Sequence, residues 1–245
     1  MRTQPLLLSI ETASRAGSIA IVKGNEVLAS SSGNAEISHS NTLLADIDAL
    51  LSDAALTIRD VEIFGVASGP GSFTGLRIGV ATVKAFAETL NRPCVGVPTL
   101  EAIAHSAGGS AGTVALLPAG RGELFVQRFS VSIEQGVVAL DEPAHLSPAS
   151  IIERYKDLSS ICWAGDGAHL YVDLIRDSAS TLGYEFEAEW SGSSTRSIWG
   201  IARPTSNLAQ HVASLALSAF ESIDDASPNS LHAIYVRPSD AELKL

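Results

Sequence analysis

The chain has 245 residues, 46% of them hydrophobic and 18% charged, enough apolar material for one large or two modest cores. Lys and Arg number 16 against 27 Asp and Glu, a formal net charge of −11 that repels a phosphate backbone and excludes unaided gripping of nucleic acid. The two cysteines, Cys94 and Cys162, lie far apart without ligand spacing, which excludes a disulfide framework or zinc knuckle and fits a reducing cytoplasm.

The opening "MRTQPLLLSIETAS" carries an apolar run too short for a secretory signal and broken by Ser9 and Glu11. No later segment offers the roughly 18 apolar residues of a membrane span, so a cytoplasmic protein without membrane contact is expected. "LLLSIETAS" and "GSIAIVKGNEVLASSS" predict an antiparallel meander of three strands, with turns at Gly17 and at Gly24-Asn25. "SHSNTLLADIDALLSDAAL" places Leu43, Leu44, Ile47, Leu50 and Leu51 at helical spacing, capped by Ser38 or Ser40. A buried strand follows from about Ile63 to Ser68, then a glycine loop, a second helix in "TGLRIGVATVKAFAETLN" and a short strand "PCVGVP". That order is α/β with a mixed sheet.

Further on, "GTVALLPAGRGELFVQRFSV" alternates as two strands about the turn "AGRG", and "SSICWAGDG" reads as a strand running into a loop. Helices are predicted in "SPASIIERYKD" and from Ser206 to Ser222. The Gly and Ser cluster from Ala104 to Gly112 reads as the hinge between two lobes. The expected domains are therefore 1–103, completed by the helix at about 206–222, and a smaller α/β lobe over 104–205.

The loop "SGPGSFTGLRIG" concentrates the chemistry. Backbone amides at a helix start, uncovered by glycines, can cradle an anion. The loop nevertheless matches neither G-x-x-x-x-G-K-[ST] nor G-x-G-x-x-G. On spacing alone, glycines that allow positive φ and a close helix-to-strand approach outweigh phosphate binding. Arg77, at the start of the helix, suits a carboxylate partner as well as a phosphate.

"SIETAS" with "GSIAI", "GPGSFTGLRIG", "VGVPTLEAIA" and "AIYVR" span nearly the whole chain and resemble the bacterial TsaB family. The resemblance implies a two-lobed fold of the actin, sugar kinase and Hsp70 (ASKHA, ribonuclease H-like) type with mixed sheets. It also implies a role in forming N6-threonylcarbamoyladenosine at position 37 of tRNAs that read ANN codons. In that family the protein is the non-catalytic partner of its paralogue TsaD, with the ATPase TsaE as a further partner; alone it forms a homodimer, and it meets tRNA only within the complex.

The catalytic paralogue is known for an H-x-x-x-H metal pair on its first long helix. Here that helix reads "HSNTLL", with Leu43 four residues after His39, and one histidine cannot chelate. The other histidines, His105, His145, His169, His211 and His232, are scattered singly, so neither metal nor cofactor is expected. Glu11 and Thr12 end the first strand, where folds of this type place an acid facing nucleotide phosphate; they read as a vestigial phosphate site, or Glu11 simply closes the adjoining turn. Asp166 in "GDG" is the second acid weighed for such a site and sits in a common turn sequence. Relatives often carry an "IDAR-x-GEVY"-like stretch where this chain has Pro118 for the acid and Gly120 for the first arginine, while Arg121, Gly122 and Glu123 remain. Arg121 and Glu123 would close the hairpin as an ion pair.

Two functions stand at this point. One is an interaction subunit without chemistry of its own, meeting its partner through Gly69, Gly71, Phe73, Gly75, Leu76, Arg77, Val80, Val83 and Phe86. The other is an ATP-dependent ASKHA-type phosphotransferase or carbamoyl-transfer enzyme using Glu11 and the glycine loop.

Overall fold

The computed structural model describes residues 4–33, 39–192, 197–223 and 225–236. The expected cap at Ser38 or Ser40, and the side chain of His39, lie outside the described residues. Two compact units are present, Met1–Ala102 with Ser206–Tyr235, and Ile103–Thr205 with Val236–Leu245.

The first unit opens with the meander β1 (Leu6–Glu11), β2 (Ser18–Lys23) and β3 (Glu26–Ser32), followed by α1 (His39–Asp53), β4 (Ile63–Gly69), α2 (Phe73–Leu90) and β5 (Cys94–Pro98). The sheet order is β3-β2-β1-β4-β5; β4 runs parallel to β1 with Leu7 opposite Ile63, and β5 runs parallel to β4. Parallel neighbours need a crossover: α2 supplies it between β4 and β5, and the path from β1 to β4 runs through β2, β3 and α1. Every residue of β1 is buried, as a strand covered on both faces must be. Its alternation decides which helix each residue meets. Leu6, Leu8 and Ile10 join Leu43, Ile47 and Leu50 of α1 and Val80, Val83 and Ala87 of α2. On the opposite face Leu7 and Ser9 lie under α7 (Leu208–Phe220), where the Ser9 hydroxyl donates to the carbonyl of Ala209 at 2.7 Å. Ala209, Ala213 and Ala216 are fully buried, and their small side chains let α7 approach the sheet closely.

α2 begins where Ser72 accepts a hydrogen bond from the Gly75 amide and ends at Asn91, which adopts left-handed φ of 51°. α3 (Thr99–Ser106) follows β5 at once.

The second unit holds the strands β6 (Ser110–Gly120), β7 (Glu123–Ser132), β8 (Gly136–Ala139), β9 (Ala144–Leu146) and β10 (Ile161–Ala164), with α4 (Pro148–Tyr155) between the last two. After them come α5 (Asp166–Leu170), α6 (Val172–Leu182), β11 (Glu185–Glu187) and β12 (Ile198–Ile201). The sheet order is β11-β12-β10-β6-β7-β8, with β9 also paired to β7. The β6–β7 turn places Arg121 and Gly122 at φ of 53° and 76°, the positive pair of a type I′ hairpin. The core centres on Trp163 and Trp199, with ring centroids 5.1 Å apart; the Trp199 indole donates to the carbonyl of Leu158 at 2.8 Å.

Three stretches show more order than their sequence signals suggest, and one reading is corrected. The stretch from Ala104 to Gly112 is mostly regular: α3 runs to Ser106 and β6 starts at Ser110, because Leu100, Ala102, Ile103 and Ala104 form a buried apolar run. "GDG" is no free turn, since Asp166 starts α5 and Gly167 packs tightly on Leu116 and Leu124. Glu123 lies 3.2 Å from the His145 ring of β9, the strand paired to β7. No helix among the described residues is long and apolar enough to cross a membrane.

Candidate functional site

Glu11 ends β1 as a buried carboxylate. It accepts hydrogen bonds from the Ser14 amide at 2.6 Å, the Ser14 hydroxyl at 2.9 Å and the Ser18 hydroxyl at 3.4 Å. The Ser18 oxygen accepts in turn from the Ala209 amide, in the first turn of α7, at 3.0 Å. The carboxylate thus closes the β1–β2 turn and reaches the positive end of α7 through one hydroxyl. A cavity of about 200 Å³ opens beside it, lined among others by Thr12, Ser18, Ser32, Thr42 and Asp46. With Glu11 and Asp46 on its wall and neither Lys nor Arg among its described lining residues, it is unsuited to phosphate. Among the described residues no three His, Cys, Asp or Glu side chains gather closely enough to hold a metal ion.

The glycine loop presses on the residues that follow Glu11. The Thr12 hydroxyl donates to the Gly75 carbonyl at 2.7 Å, and the Ser72 amide donates to the Ala13 carbonyl at 2.8 Å. A Cβ on Gly71 would lie 2.6 Å from that of Ala13, and one on Gly75 would overlap the Thr12 carbonyl oxygen. Gly69 takes φ of 119° with the carbonyl of Ile234 against it. These glycines therefore admit a neighbouring backbone. The amides of Ser72 and Gly75 are bonded to protein acceptors, and the loop packs directly on Thr12 and Ala13.

The nine expected interface residues do not form one surface. Leu76, Val80 and Val83 are 1%, 8% and 0% exposed, so their reading as apolar side chains offered to a partner is corrected: α2 lies on the sheet beside α1, and its broad apolar stripe fills that corner. Gly69 and Gly75 are buried as well. Phe86 is half-buried, its ring stacked 5.7 Å from that of Phe64. What reaches the surface is Arg77, with Phe73 partly exposed beneath it: the guanidinium lies 3.8 Å from the centre of the Phe73 ring. Farther along α2, Ala81 and Ala85 are exposed, and on α1 Leu44 is 63% exposed.

Sequence reasoning missed the contribution of the segment after α7. Leu231 sinks into the first unit's core against Gly96, and the Ile234 amide donates to the Ser68 carbonyl at 2.7 Å. Tyr235 then sets its ring 5.3 Å from that of Phe73. "AIYVR" carried no periodic signal for this docking; its first residues are anchored by contacts more than 130 positions away in sequence.

The family model of TsaD, tRNA N6-adenosine threonylcarbamoyltransferase, matches residues 29–194. The chain belongs to this family. Among its relatives, TsaB of Bacillus subtilis, a tRNA threonylcarbamoyladenosine biosynthesis protein, is 28% identical over 182 residues, covering 73% of this chain and 78% of its own. TsaB of Escherichia coli is 29% identical over 187 residues, covering 72% and 78%. A Pseudomonas aeruginosa protein described as similar to peptidase YeaZ superposes with a TM-score of 0.74 at 22% identity, over 95% of this chain and all of its own. The likeness to TsaB thus extends over most of the chain, and the mixed-sheet α/β fold is shared with the Pseudomonas aeruginosa protein.

Proposed function

We propose that this chain takes part in forming N6-threonylcarbamoyladenosine in tRNA as a subunit without chemistry of its own, pairing with a TsaD-like subunit that transfers the threonylcarbamoyl group. The observation that carries the reading is the interlock of the glycine loop with Thr12 and Ala13, in which loop amides and carbonyls bond to protein groups. Glu11, the acid that an ATP-using enzyme would aim at magnesium, is committed to the β1–β2 turn and to α7. The kinship with TsaB and TsaD supports the substrate class.

In this reading the partner meets the outer side of α1 and α2, around Leu44, Arg77, Ala81 and Ala85, rather than the buried stripe. The same side pairs two copies when the TsaD-like subunit is absent. A TsaE-like ATPase acts on the assembled complex in the cytoplasm, and tRNA is gripped there mainly by the other chains, as the net charge of −11 requires.

Reconstitution with the TsaD-like subunit, the TsaE-like ATPase, threonylcarbamoyl-adenylate and tRNA tests the reading. Modified adenosine should form only when this chain is present, and the chain alone should neither modify tRNA nor hydrolyse Mg-ATP. Modification of undiminished rate without it, or turnover by the chain alone, would overturn the proposal.

A further inference from the structure

Arg77 is held unlike an ordinary surface arginine. Its guanidinium carbon lies 3.8 Å from the centre of the Phe73 ring, and the ring of Tyr235 meets that of Phe73 at 5.3 Å with a tilt of 44°. Tyr235 is itself fixed in place, because the preceding Ile234 amide bonds to Ser68 at the end of β4 and Leu231 is buried in the core. The platform thus joins the start of α2 to the segment after α7. Among the described residues no side-chain hydrogen bond or ion pair engages Arg77, so the ring of Phe73 is what positions it. The contact with the ring uses none of the guanidinium N–H donors, which stay available to an acceptor.

We propose that Arg77, seated over Phe73, receives an Asp or Glu side chain of the TsaD-like subunit; this rests on the pairing proposed above and names its anchoring contact. Three observations select this occupant. The unused donors radiate in one plane, the geometry that pairs bidentately with a carboxylate. Arginine and aromatic side chains held rigid before contact are the residues that dominate protein interfaces, since little rotamer freedom is lost when the partner arrives. The remaining chemistry that fits a guanidinium is a phosphate of RNA, and a chain of net charge −11 opposes approach of that polyanion while tolerating a single acid on a protein surface.

The test measures affinity for the TsaD-like subunit by calorimetry, with circular dichroism and urea midpoints confirming that each variant folds. Arg77→Glu should weaken pairing at least tenfold and Arg77→Lys by less, because lysine keeps the charge but not the fork. Tyr235→Ala should weaken it while Tyr235→Phe retains it, since the ring and not the hydroxyl meets Phe73. Substituting lysine for each surface acid of the partner in turn should restore pairing with Arg77→Glu at one position. Folded Arg77→Ala and Arg77→Glu proteins that bind with wild-type affinity would overturn the anchor while leaving the pairing intact; a wild-type chain that does not bind the subunit would overturn both. If the wild-type chain alone retains tRNA, and Arg77→Glu abolishes that retention without changing affinity for the subunit, the acceptor is an RNA phosphate and the proposal fails.

Discussion

At the scale of single residues the site is a matter of hydrogen atoms where Cβ atoms would be. Gly75 faces the Thr12 carbonyl so closely that a methyl group would overlap the oxygen, and the obstacle is backbone rather than the end of a flexible side chain. Overpacking of this kind typically costs about 1–3 kcal/mol, and more where backbone must move. Gly75→Ala should therefore lose about 3 kcal/mol or more in urea unfolding. Gly109→Ala, whose nearest neighbour is the Val131 carbonyl at 3.9 Å, should stay within about 0.5 kcal/mol of wild type. Equal midpoints for the two variants would show that the loop yields and that the contact with Thr12 is not what its glycines serve.

Among the elements, α2 shows how a helix with too much apolar surface for one face finds use for it at home. Val83 has no exposed surface and lies among residues of β1, β4 and α1, while Ala85, two residues on, faces outward. Val83→Glu buries an unpaired charge and should leave the protein unfolded. Val83→Ala should cost about 2 kcal/mol, from two lost methyl groups and the space they leave. Ala85→Glu should keep the wild-type urea midpoint yet impair pairing with the TsaD-like subunit. Cosedimentation of the folded Ala85→Glu protein with that subunit at undiminished affinity would move the partner surface off α2.

Across the whole molecule, each unit buries one thiol: Cys94 in the first and Cys162 in the second, at 2% and 0% exposure. Burial pushes the Cys94 thiol up to about 11 and the Cys162 thiol up to about 12, from an ordinary value of 9.0. Because the folded values are raised, the stabilisation they reflect is fully present below pH 9 and is lost as the unfolded chain ionises above it. Urea midpoints should fall from pH 9 towards 11 beyond any trend seen at pH 7–8.5, and the Cys94→Ala, Cys162→Ala double variant should fall less steeply. An unchanged slope in the double variant would assign the alkaline loss to other groups.

Much of this architecture is legible before any coordinates. The period-two runs of β1 and β2, the leucine spacing of α1, the start and end of α2 and the paired glycines of the β6–β7 turn are local signals, set by backbone stereochemistry within a few residues, and the structure has these elements where those signals fall. Composition alone sets the acidic character of the chain and the reach of its cores. α6 and β12 escaped because their signal is weak: α6 buries only Ile175 and Ala179, and β12 is four residues long. The face each apolar residue of α2 presents was undecidable from sequence, since a hydrophobic stripe has the same period whether it meets a sheet, a neighbouring helix or another protein. Only tertiary packing placed Val80 and Val83 inside and Arg77 outside, turned the loop's glycines towards Thr12 and Ala13, and brought Tyr235 to Phe73 from the far end of the chain. Those are contacts between residues distant in sequence, and their energy depends on shape and distance that no local pattern records.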